Sequence, residues 1–348
     1  MILPHAPLRL QIDTGALVSN WRWLARASGR ASCGAAIKAD GYGVGARETM
    51  MRLMDAGCRD FFVATWVEAE ELLPLLTDAS LSVLHGIAKE DVPHAVTSRA
   101  RPVLSSLQQV KLWHDEGHGR PCDVMVDTGM NRLGLSVEDV SAGLLEGLSI
   151  DILMSHLACA DEDVSANEKQ RTAFAAVASR VSARRLSLAN SAGICLGVDY
   201  AFDLTRPGLA LYGGIPRREA EGNIRQVVRP EAQVVQRRRV GAGDSVGYNA
   251  TFTAKCQHEI AILNIGYADG YLRGFSGTGR ARLGDRFLPV VGRVSMDLTA
   301  ICVDEAPDLR EGEWVELDYD LPTAAAQSGL SQYELLTGLG RRFRRIWS

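Results

Sequence analysis

Gly34-Ala-Ala-Ile-Lys38-Ala-Asp-Gly-Tyr42-Gly-Val-Gly45 reads as a short apolar strand closed by a lysine, then a glycine-rich turn, then a helix from about Ala46. The same rhythm repeats downstream. Apolar runs recur at 61–65, 81–84, 101–104, 122–126, 151–155, 186–188 and 203–205, and helical stretches such as Glu68 to Leu76, Ser106 to Glu116 and Asn167 to Arg184 lie between them. With 34–38 this makes eight strands alternating with helices, the pattern of an α/β (β/α)8 TIM-type barrel, with an open doubly wound sheet as the competing reading. Lys38, His85, Arg132, His156, Asn190, Ser191 and Arg206 all fall at or just after the C-terminal ends of these runs. A barrel gathers those ends into one mouth, where active sites are built, whereas an open sheet strings them along an edge. The barrel explains the placement better.

Before the barrel pattern, Leu8 to Asp13 alternates as a strand does, and Asp13 or Thr14 is placed to cap a helix through Ala27. Near residue 220 the texture changes. Strand-like segments follow without long helices, at 224–239, 259–265, 280–283, 287–291, 294–303 and 314–317, as in an all-β domain. A helix from Ser331 to Leu339 then precedes the basic tail Arg341-Arg-Phe-Arg-Arg-Ile-Trp, read as a solvated or docked terminus. The expected division is a barrel over 1–222 and a C-terminal β-strand domain over 223–348, with the first strand, about 8–13, able to pair with the latter.

The 348 residues suit two domains, and 46% apolar with 23% charged content matches a globular protein with an ample core. A net charge of −4 gives no reason to expect nucleic acid or an anionic membrane as partner. Seven dispersed cysteines without a C-x-x-C pair point to a reducing compartment and to no metal site. His114-Asp-Glu-Gly-His118 has the wrong order for a zinc-protease helix. With no signal peptide and no apolar stretch of about 18 residues, a cytoplasmic location is expected.

Lysine occurs only at 38, 89, 111, 169 and 255 among 38 basic residues. The last four have polar or charged neighbours. Lys38 alone follows an apolar run, where burial lowers the ammonium pKa and frees the amine that a Schiff base needs. A lysine snorkelling to water is the alternative from this stretch alone.

The chain resembles the alanine racemases along essentially its whole length. The likeness rests on Ala-Ile-Lys38-Ala-Asp-Gly-Tyr42-Gly, Asp127-Thr-Gly-Met-Asn-Arg132-Leu-Gly, Ser155-His156-Leu-Ala-Cys-Ala-Asp161-Glu, Ala189-Asn-Ser191-Ala, Arg206-Pro-Gly208, Leu211-Tyr212-Gly, Val246-Gly-Tyr248-Asn-Ala-Thr, Ile265-Gly-Tyr267-Ala-Asp-Gly and Gly292-Arg293-Val-Ser-Met296-Asp297, in that order. The resemblance implies a pyridoxal 5'-phosphate enzyme that racemises alanine, a barrel followed by a β-domain, and a homodimer with shared active sites that supplies D-alanine for peptidoglycan. It implies that Lys38 holds the cofactor as an imine and serves as base on one face of the substrate, with Tyr248 of the partner subunit on the other. His156 and Arg206 would support that tyrosine, since a phenol with an ordinary pKa of about 10 needs cations nearby to act at neutral pH. Arg206 would also face the pyridine nitrogen and leave it unprotonated, because a guanidinium gives up its proton reluctantly.

By the same resemblance Tyr42, Ser191 and the amides of Gly208 and Leu209 hold the phosphate. Arg132 lies by the cofactor's phenolic oxygen and the substrate carboxylate, and Met296 and Asp297 border the substrate from the other subunit. Asp161, Tyr267, Arg273 and Arg293 line the entrance, and Tyr212 is a structural neighbour of the phosphate cradle. Three places depart from the family pattern. Met125 stands where many relatives have a carbamylated lysine that positions the arginine, so an anion or another side chain is expected to orient Arg132. The C-terminal tyrosine that reaches the phosphate in many relatives aligns near Arg341, and Asp40 and Asn131 also differ. A racemase of broader amino-acid range is the alternative reading of function.

Overall fold

The computed structural model describes residues 6–141 and 143–348. The chain folds as two compact units, one of residues 18–211 and 215–224, the other of residues up to 17, 212–214 and 225–348. In the first, seven parallel strands lie side by side in chain order: Ala35–Ala36, Asp60–Val63, Ser80–Val83, Arg101–Leu104, Cys122–Met125, Ile150–Met154 and Arg185–Ser187. An eighth, Leu204–Thr205, closes the ring by pairing in parallel with Ser32–Cys33. The amides of Gly34 and Ala36 donate to the carbonyls of Thr205 and Pro207 at 2.9 and 2.8 Å. On the other side the amides of Asp203 and Arg206 donate to Leu186 and Ala189 at 3.0 and 2.8 Å. The eight-stranded α/β barrel expected from the sequence is what forms.

Its strands are apolar runs because both faces are covered. Phe61, Phe62, Val63, Leu81, Val83, Val103, Leu104, Val124, Leu153 and Met154 are all buried. One expectation is corrected at the lysine. The first strand stops at Ala36, so Lys38 does not close it. Instead Ala39, Asp40, Gly41 and Tyr42 have φ of 53°, 51°, 62° and 55°, a full turn of left-handed helix. Gly41 and Gly43 donate back to the carbonyls of Ile37 and Ala39, both at 2.8 Å. Three of the four residues carry a Cβ, which costs about 1–2 kcal/mol apiece in this conformation and must be outweighed by the surrounding packing.

The second unit is antiparallel apart from one pair. The long strand Val228–Val240 bulges between Val234 and Gln236, pairing with Trp314–Leu317 before the bulge and with His258–Leu263 from it onward. Thr299–Cys302, Arg286–Val291 and Arg280–Leu283 complete a closed antiparallel ring. Leu8–Ile12 adds to the start of the long strand, and the basic tail is no free terminus. Arg344–Trp347 runs parallel to Leu8–Ile12 as the last strand of the sheet. A short hairpin, Ser245–Val246 with Phe252–Thr253, packs on Ile260 and Val291 and carries Tyr248 in its loop. No helix among the described residues is long and apolar enough to cross a membrane. The expectation about the N-terminus rests partly on residues 1–5, outside the described residues.

Charge fills the barrel floor, where the strands begin. Asp60 accepts from both terminal nitrogens of Arg185 at 2.9 and 2.8 Å, and Arg185 reaches Asp151 at 2.8 Å. Arg101 links Asp151, at 3.0 Å, to Asp123, at 3.2 Å. Burial raises the Asp123 carboxyl above its usual range against the pull of Arg101 and of the Ser82 hydroxyl. Charges this poorly hydrated are tolerable only as a complete alternating set. Arg185→Ala should therefore cost about 3 kcal/mol, seen as a lower thermal midpoint, with Arg185→Lys recovering part of the loss. An unchanged midpoint for the alanine variant would make the network dispensable.

Candidate active site

At the opposite end of the barrel the chain brings together a set of cations. Lys89, Lys111, Lys169 and Lys255 are exposed, and Lys38 is the one half-buried lysine. Its pKa is lowered first by burial and then by the positive charge of Arg132, with Glu68 pulling the other way. His156 sits in the field of Arg206, Arg132 and Lys38. Burial first, and then those cations, push its imidazole down to about 3, so the ring is neutral at physiological pH.

Arg206 is buried, and its guanidinium donates to the Ser187 hydroxyl and, at 2.6 Å, to the Ser155 carbonyl. Among the described residues no carboxylate pairs with it. Burial pushes it down to about 10, still a cation at neutral pH, with the buried Asp123 the main opposing influence. The Phe62 ring lies 6.0 Å away.

Two loops hold the other members. Asp127 accepts from the amides of Gly129, Met130 and Arg132 at 2.8, 2.9 and 2.9 Å, which shapes the loop and lets Asn131 take a φ of 56°. Against the upward pull of burial these amides hold the Asp127 carboxyl below its usual range. Arg132 thus has its backbone fixed, while among the described residues nothing pairs with its guanidinium. Met125 is buried beneath. Gln170, also buried, donates to the His156 carbonyl at 3.0 Å and accepts from the Ala158 amide at 2.8 Å, pinning the histidine loop.

A cradle for an anion lies beside the cations. The Ser191 hydroxyl accepts from the amides of Gly208 and Ala210 at 2.9 and 3.2 Å, which leaves its own proton to donate elsewhere. The buried Leu209 amide has no acceptor among the described residues. Tyr42 stands against Gly208, where a Cβ would fall 2.1 Å from the tyrosine hydroxyl. Tyr212 is fully buried.

Sequence comparison matches residues 12–216 to the alanine racemase N-terminal domain and residues 227–347 to the alanine racemase C-terminal domain. The chain belongs to the alanine racemase family. Two alanine racemases of Agrobacterium fabrum, one biosynthetic and one catabolic, are each 40% identical to it, over 98% and 97% of this chain and 94% and 91% of theirs. The crystal structure of alanine racemase from Bartonella henselae with covalently bound pyridoxal phosphate superposes with a TM-score of 0.92 at 34% identity, covering 99% of this chain and 100% of that one.

Of the other residues singled out in the sequence, Tyr248 is 64% exposed and Met296 53% exposed, and Asp297 is also exposed. Arg273 lies over the Tyr267 ring at 5.1 Å, Arg293 is half-buried, and Asp161 and Arg341 are exposed. His85 is exposed and contributes its carbonyl to Gln109 at 3.0 Å.

Several working residues escaped the sequence reading. Glu68 accepts from the Ala39 amide at 2.7 Å and the Ala64 amide at 2.6 Å, tying the left-handed turn to the next strand's loop. The Thr65-x-x-Glu68 spacing of a capping box was its signal. Asp40 accepts from the Ala46 amide at 2.9 Å and so caps the helix after the turn. Arg342 donates to Asp269 at 2.6 Å and to Asp297 at 2.7 Å, fixing the latter from the C-terminal tail.

The half-buried, neutral imidazole has a pH signature. The unfolded chain protonates His156 near 6.5 and the folded one only near 3, so this burial adds stability at higher pH that fades as pH falls through that window. The His156 ring resonances of the ligand-free protein should stay flat between about pH 5 and 8. A titration midpoint near 6.5 would contradict the placement.

Proposed function

We propose that this chain is a pyridoxal-phosphate-dependent alanine racemase that interconverts L- and D-alanine as a cytoplasmic homodimer. The observation that carries the reading is the half-buried Lys38 amine, set among Arg132, His156 and Arg206. The residues fit the cofactor. A serine hydroxyl with a spare proton, an orphan amide at Leu209 and a glycine held open against Tyr42 suit a phosphate. When bound, the cofactor supplies the electron sink that makes an α-proton acidic.

The chain's own residues then have distinct tasks. Lys38 would hold the cofactor, and its free amine would take or return a proton at Nζ on one face of the substrate. Tyr248 of the partner subunit does the same at Oη on the other face. On one chain that tyrosine stands largely in water beside no described partner group, so a second copy is needed to enclose it, and exposed Met296 and Leu298 supply apolar surface for such a contact. His156 enters neutral, which leaves Arg206 as the cation that supports the tyrosine. Arg206 would also serve the cofactor's ring nitrogen as a donor that keeps its own proton. Arg132, whose guanidinium pairs with nothing among the described residues, would bind the substrate carboxylate and the cofactor's phenolic oxygen. Asp161, Tyr267, Arg273 and Arg293 line the approach.

Its product is D-alanine for peptidoglycan, and expression should relieve the D-alanine requirement of a racemase-deficient bacterium. A coupled assay of D-alanine formation from L-alanine tests the reaction itself. Absence of turnover, or rates on serine, lysine or arginine equal to that on alanine, would replace the reading with inactivity or with a broader racemase. Lys38→Ala should lose the visible absorbance of covalently bound cofactor, and a variant that stays yellow would refute the assignment. Tyr248→Phe should slow racemisation by about 100- to 10,000-fold and unequally in the two directions, whereas unchanged rates would remove its role. Gly208→Ala should weaken retention of the cofactor on dialysis, because its Cβ displaces the Tyr42 hydroxyl.

A further inference from the structure

In the β-domain, beside the hairpin that carries Tyr248 in its loop, two strands place soft donors together. Cys256-Gln-His258 leads into the strand His258–Leu263, and Cys302-Val-Asp304 leaves the neighbouring strand Thr299–Cys302. The two run antiparallel with Ile260 opposite Cys302, a register that sets His258 opposite Asp304. His258 Nδ1, Cys302 Sγ and Asp304 Oδ2 all lie within 4.8 Å of one another. Nδ1 is 2.6 Å from Oδ2 and 4.0 Å from Sγ.

We propose that His258, Cys302 and Asp304 form a binding site for Zn²⁺. Bond lengths of about 2.0–2.3 Å in a tetrahedron require N···O near 3.4 Å and N···S near 3.6 Å. The imidazole and carboxylate therefore part by under an ångström and the thiol closes by less, within the reach of side-chain rotation. The surroundings are arranged as metal sites require. The other carboxylate oxygen of Asp304 accepts from the Glu259 amide at 2.7 Å, and the other ring nitrogen of His258 lies 3.6 Å from Cys256 Sγ, which orients the imidazole from outside. Thiolate, imidazole and carboxylate favour zinc over calcium or magnesium, which take oxygen donors. Cys302 is half-buried while Asp304 is exposed, so a water completes the fourth position. On binding, the Cys302 thiol loses its proton to solvent and the Sγ–Zn bond forms in its place, with no change of oxidation state.

The test is calorimetric titration of Zn²⁺ into chelator-treated, tag-free holoenzyme, with Co²⁺ as a spectroscopic stand-in read in the red d–d bands, clear of cofactor absorbance. Wild type should bind one ion per chain and show intense tetrahedral bands. Cys302→Ser and His258→Ala should abolish both, and Cys256→Ser should weaken binding by about 10-fold. Asp304→Asn, which keeps its shape, should also bind more weakly and covers the case in which another variant misfolds. No uptake by wild type, or uptake that survives Cys302→Ser and Asp304→Asn alike, would overturn the proposal. Racemase activity plays no part in the readout, so the result stands apart from the proposed function.

Discussion

The short pairing of Leu204–Thr205 with Ser32–Cys33 is the join on which the site depends. It closes the barrel with few residues, yet it fixes two neighbours that matter more than the strands themselves. Arg206 leaves Leu204–Thr205 with its amide tied to Ala189, and Lys38 follows Ala35–Ala36, the strand next after Ser32–Cys33, where the Ala36 amide is tied to Pro207. Ring closure therefore converts residues far apart in the chain into one cationic cluster. The left-handed turn at 39–42 follows from the same geometry. The chain must reverse quickly to put Tyr42 against Gly208, and it does so in a conformation that Glu68 and Asp40 brace from two sides.

Electrostatics gives the cluster its character. Lys38, Arg132 and Arg206 gather with a neutral histidine, and the nearby carboxylates are already spent, Asp127 on loop amides and Glu68 on the amides of Ala39 and Ala64. A mouth of this kind has charge to spare for a phosphate and a substrate carboxylate. Burial first, and then the charge of Arg132, lower the Lys38 pKa against the pull of Glu68. The Ser191 hydroxyl, accepting from two amides, and the Leu209 amide, without an acceptor among the described residues, turn an adjacent corner of the barrel into an anion cradle.

Much of this was legible in the sequence, for physical reasons. Parallel strands covered on both faces must be continuous apolar runs, so Phe-Phe-Val at 61–63 and Ile-Leu-Met at 152–154 announced themselves. Polar residues at the ends of those runs mark the mouth in the sequence itself. What stayed hidden depended on contacts across long separations. Arg185 and Asp60 look like ordinary strand-end charges until the barrel closes over them. Nothing local marks Arg342 as the partner of Asp297, nor the tail at 344–347 as a strand beside residues 8–12. The left-handed turn was invisible because Ala39 and Asp40 have no preference for it. The donors at 256, 258, 302 and 304 evaded a search for C-x-x-C because each strand supplies only half the set.

The proposed function turns on the Lys38 amine as the cofactor's attachment point. Borohydride reduction of the protein loaded with pyridoxal phosphate, followed by peptide mass spectrometry, tests it most directly. One pyridoxyl adduct per chain, on the peptide containing Lys38, is expected. An adduct on Lys89, Lys111, Lys169 or Lys255 instead, or none, would contradict it.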